Sequence, residues 1–232
     1  MITLANVRKS FGGNLVLDEI SFSLSPGEIV GFVGANGSGK TTTMRAIMGL
    51  VTIDSGAVTI DGQSPRRDRQ ILQSLGYLPE ERGLYMNEPL LSQLHFFAEL
   101  QGLSQQNRNE RINQLLIQLE IERYRETRIR ELSLGNQQRA QIAVALLHNP
   151  RYLILDEPFS GLDPMGMEDL LTILRGESER GVAILFSSHI LAHVAEISDR
   201  VLVLSGGHIH CKEERSAPLI DFYREVEASN GS

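Results

Sequence analysis

The first 33 residues alternate apolar and polar positions as a half-buried β-surface does: ITLANV from Ile2, LVLDEISFSL from Leu15, a turn at Pro26-Gly27, then the unbroken apolar run IVGFVG from Ile29. Alternation with period two predicts strands with one buried face, and the continuous run predicts a strand buried on both. Lys40 to Leu50 carries helical spacing closed by Gly49 or the turn after it, and GAVTIDG, between glycines, predicts another short strand. From about residue 86 to 150 the period is helical, in LLSQLHFFAEL, in ERINQLLIQLEIE and after Ser133. Strand patterns return in YLILDE (152–157), GVAILFSS (181–188) and RVLVLSG (200–206), with helical spacers between them. Such alternation predicts a parallel sheet with crossover helices, and the helix-rich stretch reads as a lobe inserted into an α/β core. In the tail, Leu219, Phe222, Tyr223 and Val226 recur at i, i+3, i+4 and i+7. That spacing predicts a packed amphipathic helix rather than a membrane anchor, because its other face carries acids and not lysines.

The chain of 232 residues, 41% of them hydrophobic, can bury a sizeable core, and we read it as one domain with lobes: core and β lobe at 1–85 and 151–232, helical lobe at 86–150. A net charge of -7 lacks the basic footprint that nucleic acid requires, so no nucleic-acid partner is expected. Arg66, Arg67 and Arg69 in PRRDR read as a solvated turn. The single cysteine, Cys211, excludes an internal disulfide framework and fits a reducing compartment. No apolar run approaches the roughly 18 to 20 residues of a membrane span, and the N-terminus lacks a signal-peptide apolar region. The expectation is a cytoplasmic chain, held at a membrane only by something else. In GGHIHCKEE, His208 and His210 would share one face of a strand and Cys211 the other, so they do not form a local metal site.

Three stretches carry chemistry. GANGSGKT places Gly34, Ala35, Asn36, Gly37, Ser38, Gly39, Lys40 and Thr41, with Thr42 following, after a buried strand and before a helix, which is the context the phosphate-binding P-loop needs. Its glycines let backbone N–H groups close around phosphates; Lys40 can reach the terminal phosphates and the Thr41 hydroxyl can ligate Mg²⁺. In YLILDE the strand ends in two adjacent carboxylates, costly unless they meet water or a cation. Asp156 fits Mg²⁺ coordination, and Glu157 fits the base that orients an attacking water. His189 follows a third apolar strand in line with the P-loop edge; it reads either as a structural residue at a helix start or as a hydrogen-bond partner of a γ-phosphate. LSLGNQQR at 132–139 opens a helix, where Ser133 can cap it, or the turn can hold a phosphate.

In this order, Phe11, GANGSGKT, LSLGN, YLILDEP, SGLD (160–163) and His189 resemble the ATP-binding subunit of an ABC transporter over nearly the whole chain. The resemblance implies an α/β P-loop NTPase with a parallel-sheet core, an N-terminal antiparallel β lobe and an inserted helical lobe. It implies an ATPase with ATP and Mg²⁺ as ligands, Lys40, Glu157 and His189 catalytic, and Thr41, Glu80 and Asp156 at the metal. Phe11 would stack on adenine, a core aromatic being the other reading. Ser133, Gly135 and Asn136 would meet ATP bound to a second copy or paralogue of the subunit. Asp163 would signal between the two sites, although SGLDP alone reads as a helix cap followed by proline at the first helical position. The other implied partner is an integral membrane permease subunit, which would place the protein at the inner face of the cell membrane. The family meets that subunit with roughly residues 80–100, where Leu84, Tyr85 and Met86 serve either docking or the lobe core. Leu134 and Asn136 depart from the common LSGGQ signature, and Glu80 stands where glutamine is usual and cannot donate a hydrogen bond unless protonated. PEERGLY and SLGNQQ look closer to the ATPases of drug, antibiotic or sodium exporters than to those of importers. The rival readings are a soluble ABC-type ATPase of translation or DNA repair, which usually joins two cassettes or carries long coiled-coil insertions, and a non-catalytic nucleotide-binding regulator.

Overall fold

All five residues of β3 (Ile29–Val33) are buried, as its unbroken apolar run requires. Its side chains divide between two cores, Ile29 and Val33 facing one and Val30 and Phe32 the other. The computed structural model describes residues 1–81, 83–212 and 219–230, so Ser216 to Pro218 at the head of the tail pattern, Glu213 and Glu214 of GGHIHCKEE, and Arg82 lie outside the described residues.

Strand β3 lies in a six-stranded sheet of order β5-β6-β7-β3-β8-β9, with β5 (Leu75–Leu78), β6 (Tyr152–Leu155), β7 (Ala183–Ser187), β8 (Arg200–Ser205) and β9 (His208–Lys212). The first five strands in that order are mutually parallel. The expected parallel core is thus present, and one further strand is added at its edge, where β9 runs antiparallel to β8. The reason is local: only Gly206 and Gly207 join the two strands, both with positive φ (57° and 84°), the tight two-residue turn that returns a strand on its neighbour.

A second, three-stranded antiparallel sheet, β2-β1-β4, contains β1 (Ile2–Phe11), β2 (Asn14–Leu24) and β4 (Ser55–Ile60). Its inward residues Ile2, Leu4, Val7, Leu17 and Ile20 share a core with Val30 and Phe32 and with Met44 and Ile47 of α1 (Lys40–Ile47). Helix α1 stops before Leu50 because Gly49 turns left-handed (φ 66°), and the Gly49 and Leu50 N–H groups close back on the Ala46 and Arg45 carbonyls.

The opposite face of the large sheet carries α4 (Leu134–Leu146), α5 (Pro164–Glu179), α6 (Leu191–Ile197) and α7 (Leu219–Asn230), and α2 (Leu90–Leu100) and α3 (Gln105–Gln118) pack on each other and on α4. Leu90, Leu94 and Ala98 of α2, and Ile112, Leu115 and Leu116 of α3, bury the stripes that their spacing marks out. They join Ile29, Val33, Leu153 and Leu155 in one continuous cluster, so the helical stretch and the sheet share a core. Leu219 and Val226 of α7 are buried in that cluster, with Phe222 and Tyr223 packed against it. Among the described residues no helix is long and apolar enough to cross a membrane.

Candidate functional site

The carboxyl ends of parallel strands open onto one edge, and where the chain switches direction across a sheet a crevice forms there. Here β3 is that switch point, with β7 on one side and β8 on the other. The stretches after β3, β5, β6 and β7 therefore deliver the P-loop, Glu80, the Asp156-Glu157 pair and His189 to the same edge.

Between β3 and α1, positions Gly37 (φ 80°) and Gly39 need glycine for their left-handed backbone, and Gly34 for lack of space. Gly39 has φ 109°, and a Cβ there would stand 2.8 Å from Leu17 Cδ2; a Cβ on Gly34 would stand 2.5 Å from the Leu204 carbonyl oxygen. Gly39 caps α1 with no side-chain hydrogen bond, so the first N–H groups of the helix are left for an anion. Lys40 is buried and donates from Nζ to the Gly34 and Ala35 carbonyls at 2.7 and 3.1 Å. Burial pulls its ammonium below the usual lysine range, while the Glu157, Asp156 and Glu80 carboxylates push the other way. The Ser38 hydroxyl is buried without a protein partner.

Asn36, Gly37, Gly39, Lys40, Thr41 and Thr42 line a cavity of about 330 Å³ together with Val16, Glu80, Asp156 and Glu157. Asp156 is 1% exposed; its Oδ1 accepts from the Ser187 hydroxyl at 2.7 Å and its Oδ2 has no protein partner. A buried, unpartnered carboxylate oxygen in a cavity that Thr41 also lines suits a hard cation. No group of three or more His, Cys, Asp or Glu among the described residues could hold a metal alone. Mg²⁺ does not need one, since it takes one or two carboxylates together with substrate phosphates. Glu157 adopts a left-handed backbone (φ 51°), and its Oε2 lies 2.9 Å from Nδ1 of His189. The histidine thus faces the acid, a pairing absent from the sequence reading.

Phe11 is not among the residues lining this cavity. It stands 48% exposed at the end of β1, with Lys9 Nζ 4.8 Å from its ring centroid, on the hairpin whose Val16 and Leu17 pack against Gly39. A separate cavity of about 310 Å³ is lined by Ser133, Leu134, Gly135, Asn136, Arg139, Gly161, Leu162, Asp163 and Gly166. Two helices begin there. Ser133 caps α4 by accepting from Asn136 N–H at 3.3 Å, and Asp163 caps α5 by accepting from Gly166 N–H at 2.8 Å, with Pro164 opening the helix. The two cavities have no lining residue in common.

Two polar residues at the site, Ser187 and Gln138, had no motif to announce them. Ser187, the last residue of an otherwise apolar strand, touches both acidic residues, and Gln138 donates from Nε2 to the Pro158 carbonyl at 2.8 Å, tying α4 to the segment after Glu157. For Ser187 the one available signal was a hydroxyl closing a buried run. A larger cavity, about 980 Å³, lies away from this chemistry, between Leu72–Leu75, the α2–α3 turn and His148-Asn149.

This fold and this cavity define a P-loop ATPase of the α/β class. Residues 17–160 match the family model described as ABC transporter, and the chain belongs to that family as an ATP-binding subunit. It is 43% identical over 206 residues to an ABC transporter ATP-binding protein of Methanocaldococcus jannaschii, MJ1023, covering 89% of this chain and 74% of that one. It is 32% identical to the lipopolysaccharide export system ATP-binding protein LptB of Escherichia coli strain K12, covering 90% and 88%. The solved structure of an ATP-binding subunit of an ABC transporter superimposes with a TM-score of 0.90 at 30% identity, over 97% of this chain and 99% of that one. A dimeric post-hydrolysis structure of the cassette MJ0796 with ADP and Pi superimposes at 0.83 with 25% identity, over 92% and 98%.

Proposed function

We propose that this ATPase works as a dimer around two Mg-ATP molecules and powers transport, in the export direction, through a separate membrane permease subunit. The observation that carries the reading is the separation of the two cavities. Ser133, Gly135 and Asn136 lie outside the cavity of their own P-loop, so a site using both halves takes one from each of two chains. The dimeric cassette MJ0796 and the exporter name of LptB support it. Within the chain we assign the core and β lobe to 1–85 and 151–232 and the helical lobe to 86–150.

In this reading the N–H groups at Gly37 to Thr42 and the Lys40 ammonium hold the phosphates, and Phe11 stacks on the adenine. Thr41, Asp156 and Glu80 hold Mg²⁺, which when bound neutralises charge on the phosphates. Glu157 takes a proton from the attacking water, held in place by the His189 Nδ1 contact; His189 Nε2 is then the nitrogen to meet the γ-phosphate. Gly135 N–H, at the start of α4, meets the other subunit's phosphate, and Asp163, capping the neighbouring helix in the same cavity, relays between sites.

Docking on the permease is assigned to the surface after Glu80. Leu84 is buried in the core, whereas Tyr85 and Met86 are exposed. Tyr85 is held by Gln93, which bonds both its N–H and its carbonyl, and its ring packs on Phe96, itself exposed, and Phe97. An aromatic surface fixed from behind in this way suits a protein partner.

The test is Glu157→Gln. The tagged variant, purified with ATP and Mg²⁺ from detergent-solubilised membranes, is expected to bind ATP as the parent does, elute as a dimer and carry a polytopic membrane protein with it. A monomer at saturating ATP would overturn the dimer mechanism, and a dimer without the membrane protein would favour the soluble ATPase reading.

A further inference from the structure

The hydroxyl of Ser187 closes β7, in a strand whose other four residues are Ala, Ile, Leu and Phe, and it is fully buried. In register it stands beside Phe32 of β3, while its neighbour Phe186 stands beside Leu155 of β6, so the residue following Leu155 comes alongside it. A buried hydroxyl must satisfy both its donor and its acceptor. Here it donates to Asp156 Oδ1 at 2.7 Å and accepts from Glu157 N–H at 2.8 Å. One side chain thus holds two consecutive acidic residues.

Each of those residues needs holding for a different reason. Asp156 is 1% exposed, and Oδ2 finds no protein partner, so the Ser187 bond to Oδ1 fixes how the carboxylate is turned. Glu157 sits at φ 51°, a left-handed conformation uncommon for a residue with a Cβ and stable only where the surroundings hold it. Its N–H, bonded to Ser187, is one of those restraints.

We infer that Ser187 is a positioning residue for the metal: its hydroxyl locks the Asp156 carboxylate through Oδ1, keeping Oδ2 for the cation, and pins the Glu157 backbone beside it. The inference rests on the reading of Asp156 as a metal-holding residue. It goes beyond that reading by assigning the carboxylate's orientation to a side chain on another strand.

The experiment is an EPR titration of the full-length protein with Mn²⁺ in the presence of a non-hydrolysable ATP analogue, with affinity for that analogue in EDTA measured in parallel. Ser187→Ala is expected to need about tenfold more Mn²⁺ to develop the protein-bound signal, as befits loss of a hydrogen bond to a buried charge, while its nucleotide affinity in EDTA stays within about twofold of the parent. Ser187→Thr, which keeps the hydroxyl, is expected to restore the titration. A Ser187→Ala curve superimposing on the parent would overturn the inference, as would an equal loss of nucleotide affinity in EDTA, which would make the hydroxyl a support of the fold. Asp156→Asn separates the two levels. If it titrates like the parent, the metal reading of Asp156 falls; if it weakens Mn²⁺ binding while Ser187→Ala does not, only the role of Ser187 falls.

Discussion

At Lys40 two opposing effects meet on one ammonium group. Burial disfavours its charge, yet three carboxylates lie close enough to favour it, and two carbonyls of the P-loop accept its protons. The loop's own carbonyls therefore hold the side chain in position. Lys40→Ala removes the charge and those bonds together. Hydrolysis measured by phosphate release is expected to fall at least about a hundredfold, the scale seen when one preorganised donor to a developing anion is lost. Unchanged turnover would sink the P-loop assignment. Glu157 and His189 form a second pair at this edge: the sequence places each after a strand, but only the fold brings Nδ1 to 2.9 Å from Oε2.

At the scale of elements, helices α4 and α5 start in the same cavity, capped by Ser133 and Asp163 respectively. Asp163 combines the cap with a proposed signalling role, and substitution can separate them. Asp163→Ala loses the bond to Gly166 N–H and is expected to lower stability by about 1 kcal/mol in urea unfolding. Asp163→Asn keeps an acceptor for that bond without the charge. It is expected to retain stability and to lower ATPase activity in the dimer; activity equal to the parent's would leave Asp163 a cap alone. Arg139 adds a tie between the elements, bonding the Leu119 carbonyl at 2.9 Å and Asp169 of α5 at 2.5 Å, so that α4 and α5 are joined beyond their first turns.

Across the whole molecule, the helical stretch and the sheet meet near His148. Its Nε2 lies 3.0 Å from the Leu75 carbonyl, its Nδ1 is buried without a partner, and Arg111 of α3 bonds the nearby Leu146 carbonyl. Burial, with the Arg111 charge adding to it, holds His148 below the usual imidazole range against the opposing effect of the Leu75 bond. The folded chain thus resists a proton that the unfolded chain takes up below about pH 6.5, and stability falls as the pH drops through that value. His95, also shifted down by burial and by Arg108, contributes in the same direction. In urea unfolding between pH 7.5 and 5.5, His148→Gln is expected to show a shallower loss of stability than the parent, with His95 leaving part of the slope. An identical slope would show that His148 is protonated as easily in the folded chain as in the unfolded one.

The sequence by itself determined the parts written in local patterns: the buried run that became β3, the amphipathic stripes of α2 and α3, the helix starts at Ser133 and Asp163, and the glycines and lysine of the P-loop. These depend on neighbours within a few residues, which is why period, caps and motif spacing disclose them. β5 was not legible, because four residues ahead of a proline carry too little pattern. The antiparallel return of β9 rested on two glycines whose φ values no period records. Only the tertiary structure decided which strand ends share an edge. It set Ser187 against Asp156 and Glu157 across 31 and 30 residues of chain, and divided Leu84 from Tyr85 and Met86 between core and surface. Such contacts follow from strand order and register, which fix when the whole apolar surface is buried at once.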